Sequence, residues 1–176
     1  MNKRSKLIIF TTIIALLFAG SYIYRHSSIE KAMQSENINF NEILYEVEYD
    51  SHHTIVFYTN TNFIYSALIK KSIFGYKFQQ SSGSDLYPED FIASWSVSNY
   101  NNLKSDDKVV TVAKGLLFDE EVETMILHFP HGDEPVEIVE TSIGRIWFSS
   151  PKVPINSGPE VTFTYKDGAT KSGWNK

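Results

Sequence analysis

The chain has 176 residues, with 16 Lys and Arg against 21 Asp and Glu, and it contains no cysteine. Residues 26–176 hold 12 of the basic and all of the acidic residues, a formal net charge of −9. A domain of this charge repels nucleic-acid phosphates, which argues against nucleic-acid binding. The lack of cysteine excludes disulfides, thiolate catalysis and cysteine metal ligands, and it fits a bacterial, Gram-positive type of exported domain better than a eukaryotic secreted one.

Residues 7–24 form an uncharged, mostly apolar run near the N-terminus. At about 1.5 Å per residue, a helix of this length spans roughly 27 Å, close to the ~30 Å hydrocarbon core of a bilayer. Lys3, Arg4 and Lys6 precede the run, and the positive-inside rule keeps such a tail in the cytoplasm. We therefore predict a cytoplasmic tail at residues 1–6, a single transmembrane signal anchor at residues 7–24, and an extracytoplasmic remainder.

The alternative for this run is a cleaved signal peptide. Leu17, Phe18 and Ala19 give only an imperfect match to the small-x-small cleavage pattern, and the apolar run continues beyond them. These features favour an uncleaved anchor. Both alternatives place the remaining residues outside the cytoplasm, and a lipoprotein is excluded because no cysteine can be acylated.

The first half of the exported chain predicts an α+β region. Ser28 is a suitable N-cap for a juxtamembrane helix within residues 26–38. Residues 40–100 then read as β-β-α-β-β, from their alternating or continuous apolar stretches and one apolar stripe with helical spacing. The elements of this pattern are strands at 42–49 and 54–58, which suggest a hairpin, a helix at 60–71 capped by residues 60–62, and strands at 74–78 and 91–97. In the first strand, Ile43, Tyr45, Val47 and Tyr49 alternate with polar residues and are expected on one face. Residues 81–85 are expected to form a loop, and residues 88–90 a turn.

The polar, turn-rich residues 99–107 suggest a domain boundary, after which only strands are predicted. The strands are expected at 108–118, 122–129, 136–140, 143–148 and 160–165, with 122–129 pairing with 136–140 across the turn at 130–135. Gly115 is expected to mark a bulge or bend in the first of these strands. Asp167-Gly168 predicts a type I′ hairpin near the C-terminus. Residues 107–176 therefore read as a small antiparallel β-sandwich, with Trp147 in its core and Trp174 closing the last strand.

Several short motifs carry a resemblance to a known group of proteins. Residues 115–124, the turn Pro130-His-Gly-Asp133, residues 144–148 and the segment Tyr165-Lys-Asp-Gly168 follow one another at recurrent spacing. This layout resembles the C-terminal Ig-like β-sandwich of uncharacterised, membrane-anchored extracytoplasmic proteins of Bacillus-type Firmicutes. The stretch Phe74-Gly-Tyr-Lys77 is similar to their N-terminal half. The resemblance implies a fold and a location, and it brings no catalytic or binding residues with it.

Metal binding has two weak candidates. His128, His131 and Asp133 surround a turn, and two imidazoles with a carboxylate are a conceivable zinc set, although the helical spacing of metallohydrolases is absent. Exposed turn histidines are the favoured interpretation. His52 and His53 are adjacent and would point in opposite directions on a strand; in a tight turn they would need Glu48 or Asp50 as a further ligand.

Other chemistry has less support. The acidic residues 119–123, with Asp106 and Asp107 before them, lack the regular ligand spacing of calcium loops. No serine nucleophile motif is present, and Ser82-Gly-Ser84 lacks the flanking strand and helix of a phosphate-binding loop. The many aromatic residues are expected in the core, with an aromatic groove for a glycan or peptide as the alternative.

We predict no cofactor and favour a non-enzymatic interaction or accessory module at the bacterial cell surface. Its partners would be the membrane, through the N-terminal helix, and a protein, peptide or cell-wall component. The alternative is an envelope hydrolase or metal-dependent enzyme, which requires the histidines and acidic residues to converge in space.

Overall fold

The computed structural model describes residues 3–61, 63–85, 91–101, 109–153, 155 and 157–175. The turn predicted at 88–90 and the acidic pair Asp106–Asp107 lie outside these residues. Within them, the chain forms two helices followed by twelve strands in three antiparallel four-stranded sheets.

Helix α1 (Lys3–Arg25) contains the segment Ile8–Arg25, which is long and apolar enough to cross a membrane. None of that segment is buried against the rest of the chain. The hydroxyls of Thr11 and Thr12 both donate to the Ile8 carbonyl at 2.9 Å, so these polar groups are satisfied within the helix. A signal sequence near the N-terminus passes the same test of length and composition, so α1 is compatible with a membrane anchor and with a signal sequence.

Helix α2 (Ile29–Ser35) follows one short turn after α1. Ser28 caps it as predicted, because its hydroxyl accepts a hydrogen bond from the Lys31 backbone N–H at 3.3 Å. The helix buries Ile29, Ala32 and Met33 against the sheet that comes next in the chain.

The first sheet is a meander in the order β1-β2-β3-β4. Its strands are β1 (Glu42–Asp50), β2 (His53–Asn60), β3 (Phe63–Ser72) and β4 (Gly75–Asp85). The predicted β1–β2 hairpin is confirmed, and β4 continues through the serine-rich segment that was predicted to be a loop at residues 81–85.

The helix predicted at residues 60–71 is wrong, because this segment contains strand β3. Residues Ile64 and Leu68 face one side of the sheet, and Ala67 and Ile69 face the other. The sheet is covered on both faces, so its central strands are apolar at consecutive positions, and this pattern imitates a helical stripe. Of the residues predicted to cap this helix, Asn60 is the last residue of β2 and Thr61 has a positive φ of 29°.

Two further sheets form a β-sandwich in the C-terminal half. The middle sheet has the order β5-β6-β10-β9, and the outer sheet has the order β12-β11-β7-β8. The strands are β5 (Ser96–Asn101), β6 (Val109–Leu117), β7 (Val122–Phe129), β8 (Gly132–Pro135), β9 (Glu137–Thr141), β10 (Gly144–Ser149), β11 (Glu160–Tyr165) and β12 (Thr170–Ser172).

Several details of this half differ from the sequence prediction. Strand β7 pairs with the short β8, whereas β9 pairs with β10 in the middle sheet, so the chain changes sheets at Val136. Strand β5 pairs with β6, and residues Phe91 and Ala93 bridge to Asn175 and Leu117. Strand β4 is therefore the last strand of the first sheet, and β5 is the first strand of the middle sheet in chain order. The hairpin predicted at Asp167-Gly168 joins β11 and β12, but its turn is not of the predicted type I′, because Gly168 has a positive φ and Asp167 does not.

The layers stack in the order α2, first sheet, middle sheet, outer sheet. One apolar cluster lies between each neighbouring pair of layers. The middle sheet is covered on both faces, which explains why β6 is a long apolar run. Trp147 is 1% exposed in the core of the sandwich, as predicted, and its indole N–H donates to the Ser94 carbonyl at 2.8 Å. The ring centroid of Trp174 lies 5.7 Å from that of Trp147.

Candidate binding cleft

A cleft of about 720 Å³ opens between the first sheet and the sandwich. Strands β1 and β9 are edge strands of their respective sheets. Two hydrogen bonds connect β1 with β9 and the turn after it. The Tyr45 hydroxyl donates to Glu137 Oε1 at 2.9 Å, and the Ser142 hydroxyl donates to Glu42 Oε2 at 2.6 Å. The cleft lies beyond these contacts, toward the β1–β2 turn.

The floor of the cleft is apolar. Val47 and Tyr49 project from β1 on the face that packs toward the middle sheet, and Ile55 projects from β2. Phe148 of β10 completes the floor, with its ring centroid 4.7 Å from that of Phe57. Because Ile55 and Phe148 belong to the buried core, this floor is rigid and pre-formed.

The rim of the cleft is acidic. Within the described part of the chain, it is lined by Glu48, Asp50, Glu134 and Glu137 and by one basic residue, Lys152. Among the described residues, neither Glu48 nor Glu137 forms an ion pair, while Asp50 and Glu134 pair with histidines. The cleft therefore combines an apolar surface with excess negative charge, a combination that attracts a ligand with an apolar body and a positive charge.

Asp50 organises the β1–β2 turn at one end of the cleft. Its Oδ1 accepts hydrogen bonds from the backbone N–H groups of His52 and His53, at 2.7 and 2.8 Å, and its carboxylate also accepts one from the His53 ring at 3.0 Å. Burial acts to raise the pKa of Asp50, but the hydrogen bonds from His52 and His53 outweigh it and lower that pKa below its usual value. His53 is thus engaged by Asp50, and His52 is exposed.

The predicted metal candidates around the β7–β8 turn separate into two pairs. The His128 ring donates from Nδ1 to Asp133 Oδ1 at 2.7 Å, and its Nε2 lies 2.9 Å from the Thr162 hydroxyl. The His131 ring stacks on Phe129 at 5.2 Å, and its Nε2 lies 3.6 Å from Glu134 Oε1. In the part of the chain that the structure describes, no group of three or more His, Asp or Glu side chains is arranged to hold a metal ion.

The acidic segment at residues 119–123 covers the turn before β7 and the first two residues of that strand. Asp119 Oδ1 accepts a hydrogen bond from the Glu121 N–H at 3.1 Å. Arg145 Nη1 donates to the carbonyls of Asp119 and Glu120, at 3.3 and 3.4 Å, and Lys166 Nζ lies 3.6 Å from Glu121 Oε1. These contacts give the segment a structural role in fixing the turn.

A second polar group, absent from the sequence prediction, lies inside the interface between the first and middle sheets. Lys114 Nζ donates to the Ser98 hydroxyl at 3.2 Å, and the Tyr100 hydroxyl donates to the Ser66 carbonyl at 2.7 Å. Burial lowers the pKa of Lys114 to about 7 and raises that of Tyr100 to about 12. All four side chains are at most 6% exposed, so this group contributes to packing rather than to a site that a ligand reaches.

The sequence contained one usable signal for the cleft. The alternation of β1 predicts Ile43, Tyr45, Val47 and Tyr49 on one face, and Tyr45, Val47 and Tyr49 do pack toward the middle sheet. Ile43 packs on the other face, because the register of β1 shifts between Ile43 and Tyr45. What lies opposite β1 comes from residues 134–152, and no local motif links these distant segments.

The predicted likeness to membrane-anchored proteins of Bacillus-type Firmicutes stays a prediction. Comparison of the chain with protein-family models, curated proteins and solved structures finds no match.

Proposed function

We propose that the chain is a single-pass, membrane-anchored protein whose domain lies outside the cytoplasm and works as a non-enzymatic binding module. Support for the location comes from α1, which is apolar, unburied and preceded by basic residues. Tyr22 and Tyr24 near its end are exposed, as suits rings at the headgroup level.

The cleft between β1 and β9 is the observation that carries the binding role. Its floor of packed core side chains makes it pre-formed, so a ligand pays little ordering cost on entering it. Its rim of carboxylates selects for positive charge. A segment of basic and apolar residues, from a protein or peptide at the cell surface, fits this chemistry best.

Binding can be tested on the full chain in phospholipid nanodiscs. The probes are short peptides that combine leucine or phenylalanine with lysine or arginine, and matched peptides in which glutamate replaces the basic residues. Calorimetry is expected to show binding of the basic peptides only. The double variant Glu134→Gln/Glu137→Gln should weaken it about five- to thirtyfold, since each carboxylate at the rim contributes roughly 0.5–1 kcal/mol.

The matched control is Glu120→Gln/Glu123→Gln, which removes the same charge from exposed positions at the β6–β7 turn and on β7. This control should bind like the wild type. If both double variants lose affinity equally, the loss is explained by the net charge of the domain, and a role for the cleft is contradicted. Failure of every basic peptide to bind would also count against the proposed ligand class.

A further inference from the structure

The tip of the β3–β4 hairpin carries the most exposed apolar side chains of the domain. Ile73 is 93% exposed and Phe74 is 57% exposed. Among the described residues outside α1, every other large apolar side chain is at most 39% exposed. Two adjacent apolar side chains at a hairpin tip cost solvation free energy unless something covers them.

The tip is attached to the end of α1. The Tyr76 N–H donates to the His26 carbonyl at 2.8 Å, and the His26 ring Nδ1–H donates to the Tyr76 carbonyl, also at 2.8 Å. Gly75 has a φ of +105°, and a Cβ at this position would lie 2.0 Å from the His26 carbonyl oxygen. Because His26 directly follows the last residue of α1, the tip lies at the level where α1 ends.

The hairpin is also basic, in a domain that is acidic overall. Lys70, Lys71 and Lys77 flank the tip, and residues 70–78 contain no acidic residue. Lys70 and Lys77 are directly opposite each other on the two strands, a like-charge pair that destabilises a hairpin in isolation. Arg25 adds a further positive charge at the end of α1. Positive charge around an apolar tip is complementary to an anionic lipid surface.

We propose that the β3–β4 hairpin is a second membrane contact. Ile73 and Phe74 enter the leaflet in which α1 ends, and Lys71 and Lys77 bind the phosphates of anionic phospholipid headgroups. This inference rests on the proposed anchoring by α1. Together, the helix and the hairpin fix the orientation of the domain on the bilayer, which a single flexible tether would leave free.

The depth of the hairpin can be measured on the full chain, because the absence of native cysteine makes any introduced cysteine a unique labelling site. Nitroxide labels at Ile73→Cys, Ile143→Cys and Leu16→Cys are compared in nanodiscs of phosphatidylcholine with or without phosphatidylglycerol. Collision with oxygen reports the hydrocarbon, and collision with a water-soluble nickel complex reports water. Ile143 is the matched control, since it occupies the tip of the β9–β10 hairpin near Glu42, at the opposite end of β1 from Asp50.

We expect the label at position 73 to collide mainly with oxygen, which places it in the hydrocarbon (an apolar signature), and the label at position 143 to collide mainly with the nickel complex (a water signature). The label at position 16 should show the strongest preference for oxygen, as a site deep in the bilayer does (a deep signature). Substituting Lys71→Gln/Lys77→Gln should make position 73 shallower in nanodiscs with phosphatidylglycerol and leave it unchanged in pure phosphatidylcholine. A water signature at 73 together with a deep signature at 16 overturns the hairpin contact and leaves the anchor intact. A water signature at 16 overturns the anchor itself. If position 73 lies at the same depth in the Lys71→Gln/Lys77→Gln variant and in the wild-type background in nanodiscs with phosphatidylglycerol, the headgroup contact is overturned.

Discussion

At the scale of single residues, Lys114 is a basic side chain inside the apolar core. It is fully buried in β6, its Nζ donates to Ser98, and it forms no ion pair with any residue that the structure describes. Burial lowers its pKa from 10.5 to about 7, because the charged amine loses its hydration. Between these values the unfolded chain binds more protons than the folded one, so stability rises from about pH 7 toward pH 10.5. The cost is fully present below pH 7.

We therefore expect Lys114→Met to stabilise the protein, by on the order of a few kcal/mol below pH 7 and by less at pH 9. Methionine fills similar space and carries no charge. Thermal unfolding of the full chain in micelles, followed by tryptophan fluorescence at pH 6 and pH 9, measures this difference. Lys171→Met, at an exposed position on β12, is the control and should change Tm little at either pH. A lower Tm for Lys114→Met than for the wild type at both pH values would contradict the claim that the buried Lys114 amine destabilises the folded protein.

At the scale of elements, hairpins were easier to predict than the two-sided strands. The β1–β2 hairpin followed from the alternation of an edge strand, although the register of β1 shifts after Ile43 and after Glu48. The β11–β12 hairpin followed from Asp167-Gly168, where Gly168 has a φ of +83°. Strand β3 was misread as a helix because its apolar positions reflect burial on both faces, and periodicity alone does not separate that case from a helical stripe. The aromatic and β-branched residues Phe63, Ile64, Tyr65 and Ile69 were the available evidence for a strand.

Strand β6 shows how closely the elements of the sandwich are packed. Gly115 was expected to mark a bulge or bend, but its pairing with Trp147 is regular. A Cβ at this position would lie 1.9 Å from the Ser94 carbonyl oxygen and 2.7 Å from the Trp147 indole nitrogen. The glycine is needed because the backbone of the segment before β5 passes directly over it.

Gly115→Ala should therefore destabilise the domain by about 3 kcal/mol or more, since relieving the overlap displaces backbone and breaks the Trp147–Ser94 hydrogen bond. Denaturant unfolding of the full chain gives the change in the free energy of unfolding. The control is Gly20→Ala in α1, where a Cβ meets nothing within 4 Å, and it should leave the unfolding of the domain unchanged. Similar stability of the two variants would show that the overlap is relieved without cost.

At the scale of the whole molecule, the first sheet determines where the cleft lies relative to α1 and to the β3–β4 hairpin. Asp50 pairs with His53, and His53 pairs with Lys70, so the cleft and the β3–β4 hairpin tip lie at the same end of that sheet. At about 3.3 Å per residue, the tip extends roughly 10 Å beyond this turn. If the hairpin contacts the bilayer as proposed, the cleft faces a ligand that is itself near the membrane surface.

The sequence identified the apolar helix and the β-rich C-terminal half, because both depend on local composition and pattern. It did not identify the cleft, which depends on the stacking of β1 over β9 across a chain separation of about ninety residues. Nor did it identify the position of β5, whose partner follows after the segment expected to separate two domains. Long-range sheet assembly leaves little trace in local periodicity.

The central claim is that α1 holds the domain at the outer face of the membrane. The most direct measurement is labelling of single-cysteine variants in intact bacterial cells with a membrane-impermeant maleimide. Ser142→Cys, in the β9–β10 turn, should be labelled in intact cells on a full-length, membrane-associated chain, and Ser5→Cys should be labelled only after permeabilisation. Protection of Ser142→Cys in intact cells, or release of a shortened chain into the medium, would contradict the claim.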